Sequence, residues 1–269
     1  MRHKTLAVPI RCVDYSDSSQ IVSFFTRDFG PVDGIAKGSH REKNPFQGPF
    51  DLAVEYEIVF LERRPAGLAV LIESVVLDGF RGLRSRWERY MAASHVLEFL
   101  RVVGAAGGPE PELFDLFCKI LRELSEAPPG RVEALLVYFD TAALRLIGLL
   151  PSLGECVECN RPRPRDQRSV FISPRARGIV CKSCRAQRAY PGGMALPGGA
   201  VRVLENLSLG PREDPAWPEV EAGWPAFGAP VLRVVSKLRT ELLERELVLP
   251  GASGRWVGRR GSGKKKGWT

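Results

Sequence analysis

Histidine is scarce in this 269-residue chain: His3, His40 and His95 are the whole complement. None has metal-like spacing or sits beside a serine and an aspartate as a nucleophilic triad would require, so an enzyme active site is not expected. Long apolar runs are also missing. Hydrophobic content is an ordinary 44%, yet no stretch approaches the roughly 18 residues of a membrane-crossing helix, and no membrane partner is expected. The opening MRHKTLAVPIRCVDYSD is broken by Pro9 and Arg11 and lacks a small-residue cleavage site, which argues against a signal peptide. Internal repeats are lacking.

Acidic residues are nearly absent from two stretches. From Arg161 to Arg188 nine Lys/Arg face one acid, Asp166, and from Arg255 to Thr269 six bases face none. The first 80 residues are slightly acidic, with nine bases and eleven acids. The net charge of +8 therefore describes near-neutral domains carrying two cationic patches. Concentrated positive charge favours polyanions through counterion release, with nucleic acid first and an acidic membrane surface second.

Cysteine is present in a pattern. Cys156 and Cys159 form one CxxC pair and Cys181 and Cys184 another, with 21 residues between them. Two such knuckles can fold together and offer four thiolates tetrahedrally, as one structural Zn²⁺ prefers. A catalytic zinc would keep an open coordination position, and four thiolates leave none, which disfavours a zinc-dependent hydrolase. A redox dithiol would use a single CxxC at a helix start in a thioredoxin-like setting, absent here. Cys12 and Cys118 lie alone in apolar segments and read as packed residues. Free cysteines without an export signal point to a reducing cytosol. The near P-loop at Gly258–Lys265 fails because Lys265 replaces the Ser/Thr and no strand or helix flanks it.

Along the chain, about five strands fill residues 5–80, with alternating Leu6, Val8 and Ile10, then 21–26, 32–36, 52–61 and 68–80. With no helical period between them, they predict a small closed barrel, the five-stranded OB-fold, with an SH3-like barrel as the nearest competitor. The period then changes to 3.6. Trp87, Met91, His95 and Phe99 mark one face of a helix over 83–103, and further helices are predicted over 111–125, 132–150, 199–209 and 230–249. A Pro/Trp-rich loop is expected over 210–228. The fold class is thus α+β and multidomain: an N-terminal barrel over 1–80, then a helical domain over 81–250. A four-cysteine zinc finger is inserted at 154–190, and a basic, disordered tail follows over 251–269.

Candidate polyanion contacts are Arg27 and the loop bases Lys37, Arg41 and Lys43, where Gly38 and Ser39 suggest mobility. A second cluster, Arg81, Arg84, Arg86 and Arg89, opens the first helix, where positive charge opposes the macrodipole and invites an external anion. Arg175 and Arg177 lie between the knuckles. Phe24, Phe25, Phe29, Phe46 and Phe50 are either stacking surfaces or barrel core, with core the ordinary outcome. A protein–protein adaptor, whose basic surface binds an acidic peptide, is the alternative from another class.

The order of these parts resembles the RecO family of bacterial recombination mediators. Ala7-Val8-Pro9-Ile10-Arg11 with Asp14-Tyr15-Ser16-Asp17 is similar to its opening strand and turn. Ile21–Arg27 with Gly30, and Ile35-Ala36-Lys37-Gly38, resemble its next two strands. Leu144–Pro151 leading into Cys156 resembles its helix-to-knuckle junction. Where many relatives continue the basic loop with a further Ser, this chain has Asn44-Pro45. The resemblance implies an OB-fold and a zinc-bearing helical domain. It also implies binding of single- and double-stranded DNA, strand annealing, and help for RecA against single-strand-binding protein. RecR and the C-terminal tail of single-strand-binding protein would be partners, and the nucleoid in the cytoplasm the place of work.

Overall fold

The computed structural model describes residues 1–62, 67–104, 108–208 and 215–243. The expected tail over 251–269 lies outside them. Five strands, β1 (Arg2–Ser16), β2 (Ser19–Thr26), β3 (Gly30–Ala36), β4 (Glu55–Leu61) and β5 (Ala69–Asp78), close a barrel in the order β1-β2-β3-β5-β4. Among the described strands of the barrel, β3 and β5 pair in parallel and the others antiparallel, which is the OB-fold arrangement. Alternation along a strand sends successive side chains to opposite faces. Ala7 and Phe24 point into the barrel with Val22, Phe50, Ile58 and Leu71, and their neighbours Val8 and Phe25 join a second core. That core belongs mainly to the helices. Phe25 stacks on Phe114 with centroids 6.1 Å apart.

The helices are α1 (Trp87–Gly104), α2 (Pro111–Glu126), α3 (Val132–Leu146), α5 (Gly198–Leu207) and α6 (Trp217–Leu243). Ion pairs fasten them to the barrel: Arg27 grips both Asp115 oxygens at 2.8 and 3.0 Å, and Arg122 reaches Glu55 and Asp78 at 3.4 and 3.3 Å. A 3₁₀ turn, Arg81–Ser85, connects the two parts. Its Gly82 sits so close to α2 that a Cβ would lie 2.0 Å from the Ser125 carbonyl oxygen.

Three expectations for the helices need correction. The third helix stops at Leu146, because Gly148 turns left-handed (φ 71°) and the Leu149 N–H closes onto the Leu144 carbonyl at 2.7 Å. Trp87 does not head a buried face; it is 63% exposed. The loop expected over 210–228 is helical from Trp217 onward, with Pro225 and Pro230 inside α6. Each interior proline costs roughly 3 kcal/mol. Against that, Val220, Val231, Leu232, Val234, Val235 and Leu238 are buried, each contributing about 1.5–3 kcal/mol. Packing on α3 and α5 therefore wins over local propensity.

Between α3 and α5, the chain builds a four-stranded sheet in the order β6-β8-β7-β9, from Ser152–Cys156, Gly178–Ile179, Ser169–Ser173 and Met194–Pro197. A short helix, α4 (Lys182–Gln187), follows β8. No helix among the described residues is long and apolar enough to cross a membrane.

The helical core contains a charged network. Asp140 accepts hydrogen bonds from His95 at 2.9 Å and Arg239 at 2.6 Å, joining α1, α3 and α6, and all three side chains are at most 1% exposed. Burial alone would raise the Asp140 pKa, but the Arg239 charge and His95 hold it below the usual carboxylate range. Its folded-state pKa is depressed, so its stabilisation is present above the ordinary carboxylate value and is lost as pH falls through the folded one. Asp140→Ala removes the carboxylate that His95 and Arg239 share in the core and is expected to cost about 3–5 kcal/mol, read as a lower urea midpoint.

Candidate functional site

The two CxxC pairs meet. Cys156 ends β6 and Cys159 follows in the next turn, while Cys181 caps α4 and Cys184 lies within it. All four Sγ atoms lie within 4.8 Å of one another, with Cys159 and Cys181 3.8 Å apart. Tetrahedral Zn–S bonds of about 2.3 Å imply S···S edges of about 3.8 Å, so the donor set fits a metal ion and is consistent with zinc. The knuckle backbone prepares the negative charge. Burial would raise the Cys156 pKa, but N–H groups of Cys181, Glu158 and Cys159 bring it to about 6. The Cys181 N–H points at the Cys156 sulfur at 3.3 Å. Cys184, facing the Cys181 sulfur and then its other neighbours, is pushed up to about 12. Four thiols packed this closely cannot all ionise unaided; a dication resolves that conflict. Cys12 is half-buried and Cys118 buried, and burial pushes both thiols up, Cys12 to about 12.

Bases between the knuckles divide into two kinds. Arg163 is turned inward, bonding the Leu153 carbonyl and the Glu205 carboxylate, which ties the module to α5. Arg185 covers the Phe171 ring at 4.1 Å, and Arg188 faces Glu158 at 3.7 Å. Arg175 and Arg177, at the tip between β7 and β8, are exposed, and their side chains have no hydrogen bond or ion pair among the described residues.

The barrel loop is in place. Lys37, Arg41 and Lys43 are exposed and likewise lack side-chain partners among the described residues. The loop is pinned from beneath. The Gly38 N–H donates to Ser19 Oγ at 3.1 Å, and Asn44 donates to the Arg41 carbonyl while accepting from Phe46 and Gly48. The Asn44-Pro45 departure thus supplies the turn's internal bonds. Phe24, Phe25, Phe46 and Phe50 are buried; Phe29 is partly exposed but packs on His3 and Phe60.

The arginines around the first helix serve different ends. Arg89 collects the Ser125 and Ala127 carbonyls at 2.5 and 2.7 Å, so its charge sits on the C-terminal end of α2. There the macrodipole favours it, and the conflict expected at the start of α1 is relieved. Arg84 bonds Asp51 at 2.7 Å and the Leu52 carbonyl at 3.1 Å. Arg27 is held by Asp115. Arg81 and Arg86 are exposed and have no side-chain partner among the described residues. Seven of the ten expected basic contacts are thus available to an outside anion, and three are bound internally. Sequence reasoning missed the His95–Asp140–Arg239 network; Asp140, standing in the apolar stretch between Leu135 and Leu144, was the available signal, whereas Arg239 is one of several charged residues on α6.

Taken together, the fold and site define a two-part protein of the OB-barrel class, its helical part carrying a cluster of four cysteines that could hold a metal ion. The chain belongs to the recombination protein O family of DNA repair proteins: residues 1–80 match the family model "Recombination protein O N terminal" and residues 84–246 match "Recombination protein O C terminal". It is 32% identical over 211 residues to the DNA repair protein RecO of Rhodopirellula baltica, covering 78% of this chain and 77% of that one. Identity to the DNA repair protein RecO of Anaeromyxobacter sp. strain Fw109-5 is 32% over 210 residues, covering 77% and 79%. For that of Syntrophus aciditrophicus it is 29% over 202 residues, covering 75% and 77%.

Elemental analysis of freshly purified, unchelated protein is expected to find one metal ion per chain. Cys156→Ser or Cys181→Ser should lower that occupancy and yield poorly folded or insoluble protein; full occupancy in both variants would contradict the four-thiolate site. Arg89→Ala should destabilise by roughly 1–3 kcal/mol through the carbonyls it leaves unpaired, measurable as a lower melting temperature.

Proposed function

We infer that the protein is a non-enzymatic, DNA-binding recombination mediator. It binds single- and double-stranded DNA with little sequence preference, anneals complementary strands and assists RecA on DNA coated by single-strand-binding protein. RecR and the C-terminal tail of single-strand-binding protein are its protein partners, and the nucleoid in the cytoplasm is its place of work. One Zn²⁺ is structural: it closes the knuckles and holds the β7–β8 tip in place. The functional division is a barrel over 1–80 and a helical domain over 81–250 with the insert at 154–190.

The observation that carries this reading is the set of exposed bases without internal acceptors on three separate elements: Lys37, Arg41 and Lys43 on the barrel, Arg81 and Arg86 before α1, and Arg175 and Arg177 on the metal module. Such groups make phosphate contacts, which position DNA without reading its bases. Arg27, Arg84 and Arg89 take the supporting role of holding these surfaces in register. The same cationic surfaces suit an acidic peptide, which is the adaptor reading.

Affinity for DNA should fall steeply with salt, each phosphate contact adding about −0.9 to the log–log slope on duplex. Lys37→Glu with Arg41→Glu should weaken binding at least about tenfold and flatten that slope by roughly two contacts. Affinity unchanged by salt, or by the double reversal, would remove the barrel loop. Tight binding of an acidic peptide by protein that ignores every form of DNA would establish the adaptor instead.

A further inference from the structure

The barrel has turned most of its aromatics inward. Of those described on it, Tyr15 is the one broadly exposed, at 64%, since Phe29 is held between His3 and Phe60. The backbone accounts for this. Asp14 pairs with Gln20 and Ser16 with Ser19, so Tyr15 is the extra residue of a bulge at the end of β1. Bulges at barrel rims re-aim a side chain at the expense of ladder pairing. The Tyr15 ring and hydroxyl have no partner among the described residues. Burying such a ring is ordinarily favourable, so one left facing water has a planar apolar face to offer.

The end of the barrel where it stands is apolar, then cationic. Val13 pairs with Ile21 and Ile21 with Ile35, across β1, β2 and β3. They alternate with Cys12, Val22 and Ala36, which belong to the barrel core, and so form a row on its outer face. Val13 is 43% exposed and the two isoleucines are half-buried; none of the three joins the helical core that takes Val8 and Phe25. From Ala36 the chain runs directly into Lys37. Three contacts tie this loop to the β1–β2 hairpin. The His40 N–H donates to the Ser18 carbonyl at 3.2 Å, the Gly38 N–H donates to Ser19 Oγ at 3.1 Å, and His40 Nε2 lies 3.0 Å from Asp14 Oδ1. Asp14, the acid beside Tyr15, is thereby engaged by His40. Only β2 separates the end of β1 from the end of β3, two strand spacings or about 10 Å. A planar ring that near Lys37 and Arg41, cations without internal acceptors among the described residues, suits an unpaired base with its phosphates. An acidic peptide would use the cations and leave the ring idle.

We propose that Tyr15 stacks on an unpaired base of single-stranded DNA, with Lys37 and Arg41 holding the adjoining phosphates and the Val13–Ile21–Ile35 row lying beneath the strand. Bases in a duplex have both faces covered by their neighbours, so Tyr15 engages single strands and ignores intact duplex. This rests on the DNA-binding reading above and adds to it the group by which the protein tells the two forms apart.

The test uses full-length protein and three probes of equal length: an oligothymidylate, an abasic deoxyribose-phosphate strand and a duplex. Wild type should prefer the oligothymidylate to the abasic strand. Tyr15→Ala and Tyr15→Leu should both lose that preference by on the order of tenfold, because leucine is apolar but not planar. Tyr15→Phe keeps the ring and should retain it. Duplex affinity and melting temperature should match wild type in all three variants, since Tyr15 is exposed. Lys37→Ala with Arg41→Ala should instead weaken both single strands alike and leave the preference intact. Preference kept by the Ala or Leu variant, or lost by the Phe variant, overturns the stacking site, as does equal loss on duplex and single strand; DNA binding then stands. Wild-type protein that binds none of the three probes overturns the DNA reading itself.

Discussion

Everything in this molecule is referred to one apolar seam, where the middle of β1 and most of β2 are buried on both faces. Their inward residues fill the barrel and their outward ones, Val8, Ile10 and Phe25, enter the core of the helical domain. A strand pair used in this way cannot slip by one residue, because a slip would exchange the two cores. Register and domain orientation are therefore fixed by the same side chains. The ion pairs from Arg27 and Arg122 lie at the rim of the seam, where partial exposure makes them worth little individually; their geometry contributes alignment more than energy.

The metal module depends on the same logic with different chemistry. Its sheet is small, and β8 has only two residues, so a metal held by the four cysteines would compensate for a core too small to hold itself. Arg163, bonded to Glu205, ties that sheet to α5, and α5 packs on α6. Charge at the β7–β8 tip is thus traceable through the sheet and α5 to the helical core, where Asp140 joins three helices.

Much of this was legible in the sequence. Strand alternation, turn residues and the switch to a 3.6-residue period marked the barrel and the first two helices, and cysteine spacing alone marked the thiolate cluster. What was not legible shares a cause: it depends on partners distant in the chain. Arg27 reads as an exposed cation until Asp115, 88 residues away, is placed against it. Arg89 reads as an unfavourable charge at a helix start until the end of α2 arrives beside it. The first half of α6 reads as loop because Gly223, Pro225, Gly228 and Pro230 dominate local preference, while the buried valines and leucines of the helix act only once α3 and α5 are present. Trp87 fits a helical stripe by spacing, yet it is one of the more exposed large side chains of the described residues.

The 3₁₀ turn Arg81–Ser85 replaces a flexible linker, with Gly82 pressed against α2 and Arg89 bonded across the joint. Modules on a slack tether find their second contact by diffusion, and the effective concentration falls as the tether lengthens. Here no tether lowers it. The barrel loop and the helix start are presented at one separation, so a polyanion gains avidity only if its own phosphates can be brought to that spacing. A supple chain meets this demand by bending at little cost, whereas a stiff one must be deformed. On the DNA-binding reading, the stiffness of the ligand, as well as its charge, would then bear on how tightly it is held.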